Sequence, residues 1–126
     1  MKVFLVEDSK LILEHLRDML SACEGVQLAG EADTEQDAMG GIAETRPDLV
    51  ILDLSLAHGS GLEVLRQTRQ SLPATAVVVL SNRVGPQYER RCLALGAERF
   101  LDKTRDFGRL RTVVEAFARR LVQGSE

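Results

Sequence analysis

Five short, nearly continuous hydrophobic runs punctuate the chain: KVFLVED (2–8), VQLAGEA (26–32), DLVILDL (48–54), TAVVVLS (75–81) and ERFLDK (98–103). Their length and their Val, Leu, Ile and Phe content predict β-strands. Between them apolar residues recur every three or four positions, the spacing of one buried helix face. Ile12, Leu16, Met19 and Leu20 mark a helix over 9–22, with Ser9 as its N-cap. Thr34, with Asp37 three residues on, opens a second helix in the manner of a capping box. Arg46-Pro47 closes it, because a residue before proline avoids the helical region. The loop SLAHGSG leads to a third helix with Leu62, Val64 and Leu65 on its inner side. Pro86 suits the first turn of a fourth and Gly96 its end, while Phe107, Leu110, Val113, Val114, Phe117 and Leu121 belong to the last.

Five strand–helix units in a row predict an α/β fold, since the strands are too evenly apolar to leave a face in water. The expected architecture is a doubly wound, five-stranded parallel sheet of flavodoxin-like order 2-1-3-4-5, (βα)5, with helices on both faces. The 126 residues suffice for one such domain, expected over 1–122, with 123–126 a C-terminal tail and no output domain. A net charge of −3 and the absence of a basic stripe argue against direct nucleic-acid binding. Cys23 and Cys92 lie far apart without metal-type spacing, as in a reducing compartment. The N-terminus is too weakly apolar for a signal peptide, and no run is long enough for a membrane helix. A cytoplasmic protein with no membrane partner is expected.

In doubly wound sheets ligands bind beyond the carboxyl ends of the strands. Those ends carry Glu7-Asp8, Ala32-Asp33, Asp53, Ser81-Asn82 and Lys103. Singly, each has an ordinary reading. Asp8 or Ser9 caps a helix, Ser81-Asn82 is turn chemistry, Lys103 is solvated, and Asp53 closes an Asx turn. Jointly, three acids, a hydroxyl and a lysine at those ends point to one pocket. Three close carboxylates cannot all remain ionised unaided. A hard divalent cation resolves that conflict, and Mg2+ typically takes one or two carboxylates plus phosphate oxygens. Glu7, Asp8 and Asp53 supply three negative charges; Mg2+ and Lys103 supply three positive ones. Such a site accepts a phosphoryl group by electrostatic stabilisation.

The pattern resembles the receiver domain of two-component response regulators over essentially the whole chain. The resemblance rests on the acidic pair after the first strand, on DLSLAHGSG with a glycine eight residues past Asp53, and on Ser81 and Lys103. CLALGAERFLDK is similar to the family's approach to its lysine, and GVQLAGEA and RPDLVILDL look most like receivers that precede helix-turn-helix output domains. The resemblance implies that Asp53 is the phosphoacceptor, taking the group from a phosphohistidine on a sensor histidine kinase or phosphotransfer protein. It implies Mg2+ held by Glu7, Asp8, Asp53 and the backbone carbonyl of Ser55. Ser81 would bond the phosphoryl oxygen, Lys103 would pair with it, and Phe100 would be the aromatic switch residue whose rotamer follows Ser81. The face of the fourth helix, fifth strand and fifth helix would pass the signal to a downstream protein target or to a phosphorylation-dependent homodimer.

The chain departs from the family pattern at several positions. Glu7 replaces the more usual Asp, and Thr104 stands where many receivers have proline, which puts a cis peptide there in doubt. Ala57 replaces a proline after Asp53, so a looser loop is expected. Asn82, where a small residue is usual, would narrow access to the site, and Ser55 and Arg83 occupy the positions that tune dephosphorylation. Arg83 either reaches toward the phosphoryl group or points into water. His58 reads as a solvated loop residue and His15 as a helix-flank residue, while Tyr88, Cys92 and Leu95 read as the inner stripe of the fourth helix. The competing reading is a phosphorylation-independent interaction module that keeps the fold alone. A nucleotide or flavin enzyme is disfavoured because VEDSKL offers carboxylates where a phosphate cradle is needed, and Val64 breaks the glycine fingerprint.

Overall fold

The computed structural model describes residues 1–83 and 85–124. The elements alternate without exception: β1 (Lys2–Val6), α1 (Lys10–Ser21), β2 (Gln27–Ala32), α2 (Glu35–Thr45), β3 (Leu49–Leu52), α3 (Gly61–Ser71), β4 (Ala76–Ser81), α4 (Pro86–Ala94), β5 (Arg99–Asp102) and α5 (Phe107–Gly124). The strands form one parallel sheet in the order β2-β1-β3-β4-β5, as expected from the sequence.

Strand alternation divides the core in two. Phe4, Val6, Val50, Leu52, Val77 and Val79 face one side with Ala38, Ile42, Val64, Leu65 and Cys92 of α2, α3 and α4. Val3, Leu5, Leu49, Ile51, Val78 and Leu80 face the other, against Leu16 and Leu20 of α1 and Leu110 and Val114 of α5. The three central strands are buried on both faces, which is why they read as unbroken apolar runs. β2 is an edge strand whose residues are all exposed or half-buried. Its Gly30 and the Gly41 of α2 accommodate the Phe4 ring: a Cβ at Gly30 would lie 2.8 Å from Phe4 Cε2, and one at Gly41 2.5 Å from Phe4 Cζ.

The capping signals act as anticipated. Ser9 Oγ accepts the Ile12 N–H at 3.3 Å, and Thr34 Oγ1 accepts that of Asp37 at 3.1 Å. Ser60 Oγ does the same for Glu63 at 3.3 Å. Gly96, at φ +104°, ends α4 in a conformation glycine adopts without strain. Arg46 ends α2 in the left-handed region (φ 47°, ψ 63°) just before Pro47. α5 continues to Gly124, past the expected boundary at 122, and Ser125 and Glu126 lie outside the described residues. Among the described residues every peptide bond is trans, including Lys103–Thr104.

Candidate functional site

Inter-strand bonding continues past the formal strand ends. The Glu7 N–H bonds Ala32 O at 3.0 Å, the Asp53 N–H bonds Val6 O at 2.9 Å, and the Lys103 N–H bonds Ser81 O at 2.9 Å. The sheet itself therefore fixes the backbone of the residues that the sequence places at its carboxyl edge. Carboxylate oxygens of Glu7, Asp8 and Asp53 come within 4.8 Å of one another. Glu7 is 1% exposed and Asp53 4%, whereas Asp8 is open to solvent. A cleft of about 400 Å3, lined in part by Glu7, Asp8, Lys10, Asp33 and Asp37, opens beside them.

Lys103 enters this cluster from the β5 end. Its Nζ lies 2.8 Å from Glu7 Oε1 and 3.3 Å from Asp53 Oδ2, with the side chain only 8% exposed. The Ser9 N–H donates to Glu7 Oε1 at 3.0 Å, and the Ser55 N–H to Asp53 Oδ1 at 3.2 Å. Burial raises both Glu7 and Asp53 above their ordinary values, against the opposing pull of Lys103 and of those N–H groups. For Lys103, burial disfavours the ammonium, but the Glu7 hydrogen bond and the Asp53 charge outweigh it and raise its pKa. Fully ionised, three carboxylates and one ammonium would leave the cluster two negative charges in excess. All three carboxylates offer hard oxygen donors and Asp8 leaves an open approach, so the donor set fits a hard divalent cation.

The other anticipated residues surround this centre. Ser81 is fully buried, and its Oγ accepts the Arg83 N–H at 3.0 Å, leaving the hydroxyl proton free to donate elsewhere. Asn82 and Arg83 are exposed. Phe100 is half-buried against the core under α3 and α4. Tyr88 is half-buried and Cys92 fully buried on α4, and His58 is exposed. His15, also exposed, sets its ring edge to face with Phe107 at 6.2 Å.

At Ala57, where the missing proline suggested a looser loop, the chain has an N–H that proline lacks and donates it to Asp33 O at 3.0 Å. Thr104 shows the same exchange, its N–H bonding Asp102 Oδ1 at 2.8 Å. The sequence reading missed how this second turn is built. Asp106, nearly buried, accepts the Asp102 N–H at 2.9 Å and returns its own N–H to Asp102 O at 2.8 Å. The D-x-x-x-D spacing around Lys103 was its available signal. Gly61, eight residues past Asp53, also gains a reason: a Cβ there would lie 2.5 Å from the Asp53 carbonyl oxygen.

Comparisons with known proteins agree with this geometry. The chain is 31% identical over 102 residues to the response regulator GacA of Pseudomonas aeruginosa, covering 81% of this chain and 48% of that one. It is 29% identical over 100 residues to the uncharacterized transcriptional regulatory protein YhcZ of Bacillus subtilis, covering 79% and 47%. The chain thus spans under half the length of these relatives. A LuxR-family two-component response regulator from Aurantimonas superposes with a TM-score of 0.85 at 26% identity, over 93% of this chain and 84% of that one. The Mn(2+)-bound form of the response regulator Rcp1 superposes with a TM-score of 0.76 at 27% identity, over 91% and 89%. The model of the response regulator receiver domain matches residues 3–115, and the chain belongs to that family, the receivers of two-component signalling.

Proposed function

We propose that Asp53 is the phosphoacceptor of this receiver and that Mg2+ is its metal. The observation that carries the reading is the clustering of Glu7, Asp8 and Asp53 at the carboxyl edge of the sheet, with the buried ammonium of Lys103 joined to Glu7 and Asp53. Glu7, Asp8, Asp53 and the Ser55 carbonyl would hold the cation. When bound, it would screen the carboxylates from an incoming phosphoryl group and neutralise charge on its oxygens.

The remaining chemistry belongs to the chain. Asp53 Oδ2 faces Lys103 while Oδ1 is held by the Ser55 N–H, so the carboxylate is oriented and both contacts favour its anion against the burial that raises its pKa. An oxygen of Asp53 attacks phosphorus in line with the departing imidazole nitrogen of a phosphohistidine. The N–P bond breaks, the imidazole keeps the electron pair, and an acyl phosphate forms. Lys103 then exchanges its carboxylate partner for a phosphoryl oxygen, and the Ser81 hydroxyl donates to another. Phe100, on β5 next to the strand that ends at Ser81, follows that movement. Asn82 and Arg83 border the entrance and set the lifetime of the modification, together with Ser55.

The donor is a sensor histidine kinase or phosphotransfer protein, met in the cytoplasm. The α4–β5–α5 face carries the change to a downstream protein or to a second copy of the chain. The test is intact mass after incubation with acetyl phosphate, with and without Mg2+, on the wild type and Asp53→Ala. A Mg2+-dependent gain of one phosphoryl group, absent in the variant, supports the reading; no gain from acetyl phosphate or from a phosphorylated kinase domain overturns it.

A further inference from the structure

The loop between Asp53 and α3 carries Ser55, whose N–H orients Asp53 and whose carbonyl is a proposed metal ligand. Its far side is fastened to a single residue of α2. Glu35 Oε1 accepts the Ser60 N–H at 2.8 Å, and the Glu35 N–H donates to His58 O at 2.9 Å. A parallel bridge joins Thr34 to His58, and an antiparallel one pairs Ser55 with Ser60. Gly59, at φ +89°, lets the loop lie so close that a Cβ there would strike the Glu35 side chain. The chain of contacts thus runs from the Glu35 carboxylate to Ser60, from Ser60 to its bridge partner Ser55, and from Ser55 to Asp53.

We infer that Glu35 is a positioning residue: its carboxylate latches Ser60 and so holds Ser55 where it can orient Asp53 and receive the metal. The inference rests on the proposed metal site and adds to it a residue about which no motif gave warning. Glu35 opens α2 rather than ending a strand, and its hydrogen bonds run to Ser60 and His58 and not to Asp53 or the acidic pair. Ala57 works beside it, its N–H on Asp33 O tying the same loop to the same connection. Partners that fix a ligand's orientation typically alter metal affinity by about 10-fold to 100-fold when removed. The lower end is expected here because the latch acts through the backbone.

The experiment is Mg2+ titration by calorimetry on the whole chain, together with amide hydrogen exchange in EDTA. The variants are Glu35→Ala, Glu35→Gln and Gly59→Ala. Glu35→Ala should weaken Mg2+ binding about 10-fold and speed exchange of the Ser60 amide. Glu35→Gln keeps an acceptor oxygen in place and should restore both to within about 2-fold of wild type. Gly59→Ala displaces the latch sterically and should behave like Glu35→Ala, which covers the case in which one variant fails to fold. Wild-type affinity in Glu35→Ala would overturn the inference, as would equal losses in Glu35→Ala and Glu35→Gln, which would assign the effect to charge alone. A wild-type protein that binds no Mg2+ would overturn the metal reading itself, while the Ser60 exchange rates would still decide whether the latch exists.

Discussion

Gly40 and Gly41 are adjacent in α2, and the same substitution at each should move stability in opposite directions. In a helix interior Gly→Ala gains about 0.5–1 kcal/mol, because the unfolded chain loses conformational freedom. Gly40 is exposed and a Cβ there meets nothing within 4 Å, so Gly40→Ala should realise that gain in full. At Gly41 the new Cβ would sit 2.5 Å from Phe4 Cζ and 2.7 Å from Cε2, well inside van der Waals contact. Phe4 is a buried ring of a central strand, not a flexible side-chain end, so the strain is relieved only by moving α2 or turning the ring off its rotamer. Overpacking of this kind costs about 1–3 kcal/mol, which against that gain leaves Gly41→Ala destabilised by up to about 2.5 kcal/mol. For a domain of this size each kcal/mol corresponds to about 3–5 °C in melting temperature. Urea unfolding with a shared slope measures both values. Removing the ring with Phe4→Leu should abolish the penalty of Gly41→Ala while leaving the gain of Gly40→Ala untouched. Equal signs for the two alanine variants, or a Gly41→Ala penalty that survives Phe4→Leu, would refute the packing argument.

Lys103→Met leaves Glu7 and Asp53 buried without their cation and should destabilise metal-free protein by about 3–5 kcal/mol in urea unfolding. Added Mg2+ should recover more stability in this variant than in the wild type; an unchanged midpoint in EDTA would contradict the account. Glu7 and Asp53 titrate above their unfolded values of 4.5 and 3.8, so the folded state holds more protons between the unfolded and folded values. Their contribution is therefore present at low pH and lost as pH rises through the folded values. Metal-free protein should melt at a higher temperature at about pH 5 than at about pH 7, and less so in Asp53→Asn. Glu63, held at about 2 by hydrogen bonds from Arg66 and Gln67, acts only at lower pH and leaves that window clear. Asp106→Ala removes the acceptor for the Asp102 N–H and should cost about 1–2 kcal/mol, with Asp106→Asn milder.

The sheet was legible because its physics is local and repetitive. Leu49 to Leu52 are apolar on both sides because both faces of β3 are covered, and parallel strands need the intervening helices. The site was legible because Glu7, Asp53 and Lys103 stand one position past β1, β3 and β5, where ladder bonds hold their backbone, and Ser81 is the last residue of β4. β2 was recognisable as a strand, but its exposure came from lying at the sheet edge, which its composition states only weakly. What escaped the sequence was hydrogen bonding in the loops. Ala57 suggested a slack loop because only the loss of proline is visible in the chain, while the N–H thereby released finds Asp33 O in the neighbouring turn. The Asp102–Asp106 exchange around Lys103 likewise depends on a turn geometry that two aspartates four residues apart do not specify.

The central claim is that Asp53, among three adjacent carboxylates, receives the phosphoryl group. Borohydride reduction after Mg2+-dependent phosphorylation converts an aspartyl phosphate to homoserine, and peptide mass mapping then locates it. The account predicts homoserine at position 53, absent when Mg2+ is withheld. Recovery of unmodified Asp53 with reduction at Asp8, Asp33 or another acidic residue would contradict it.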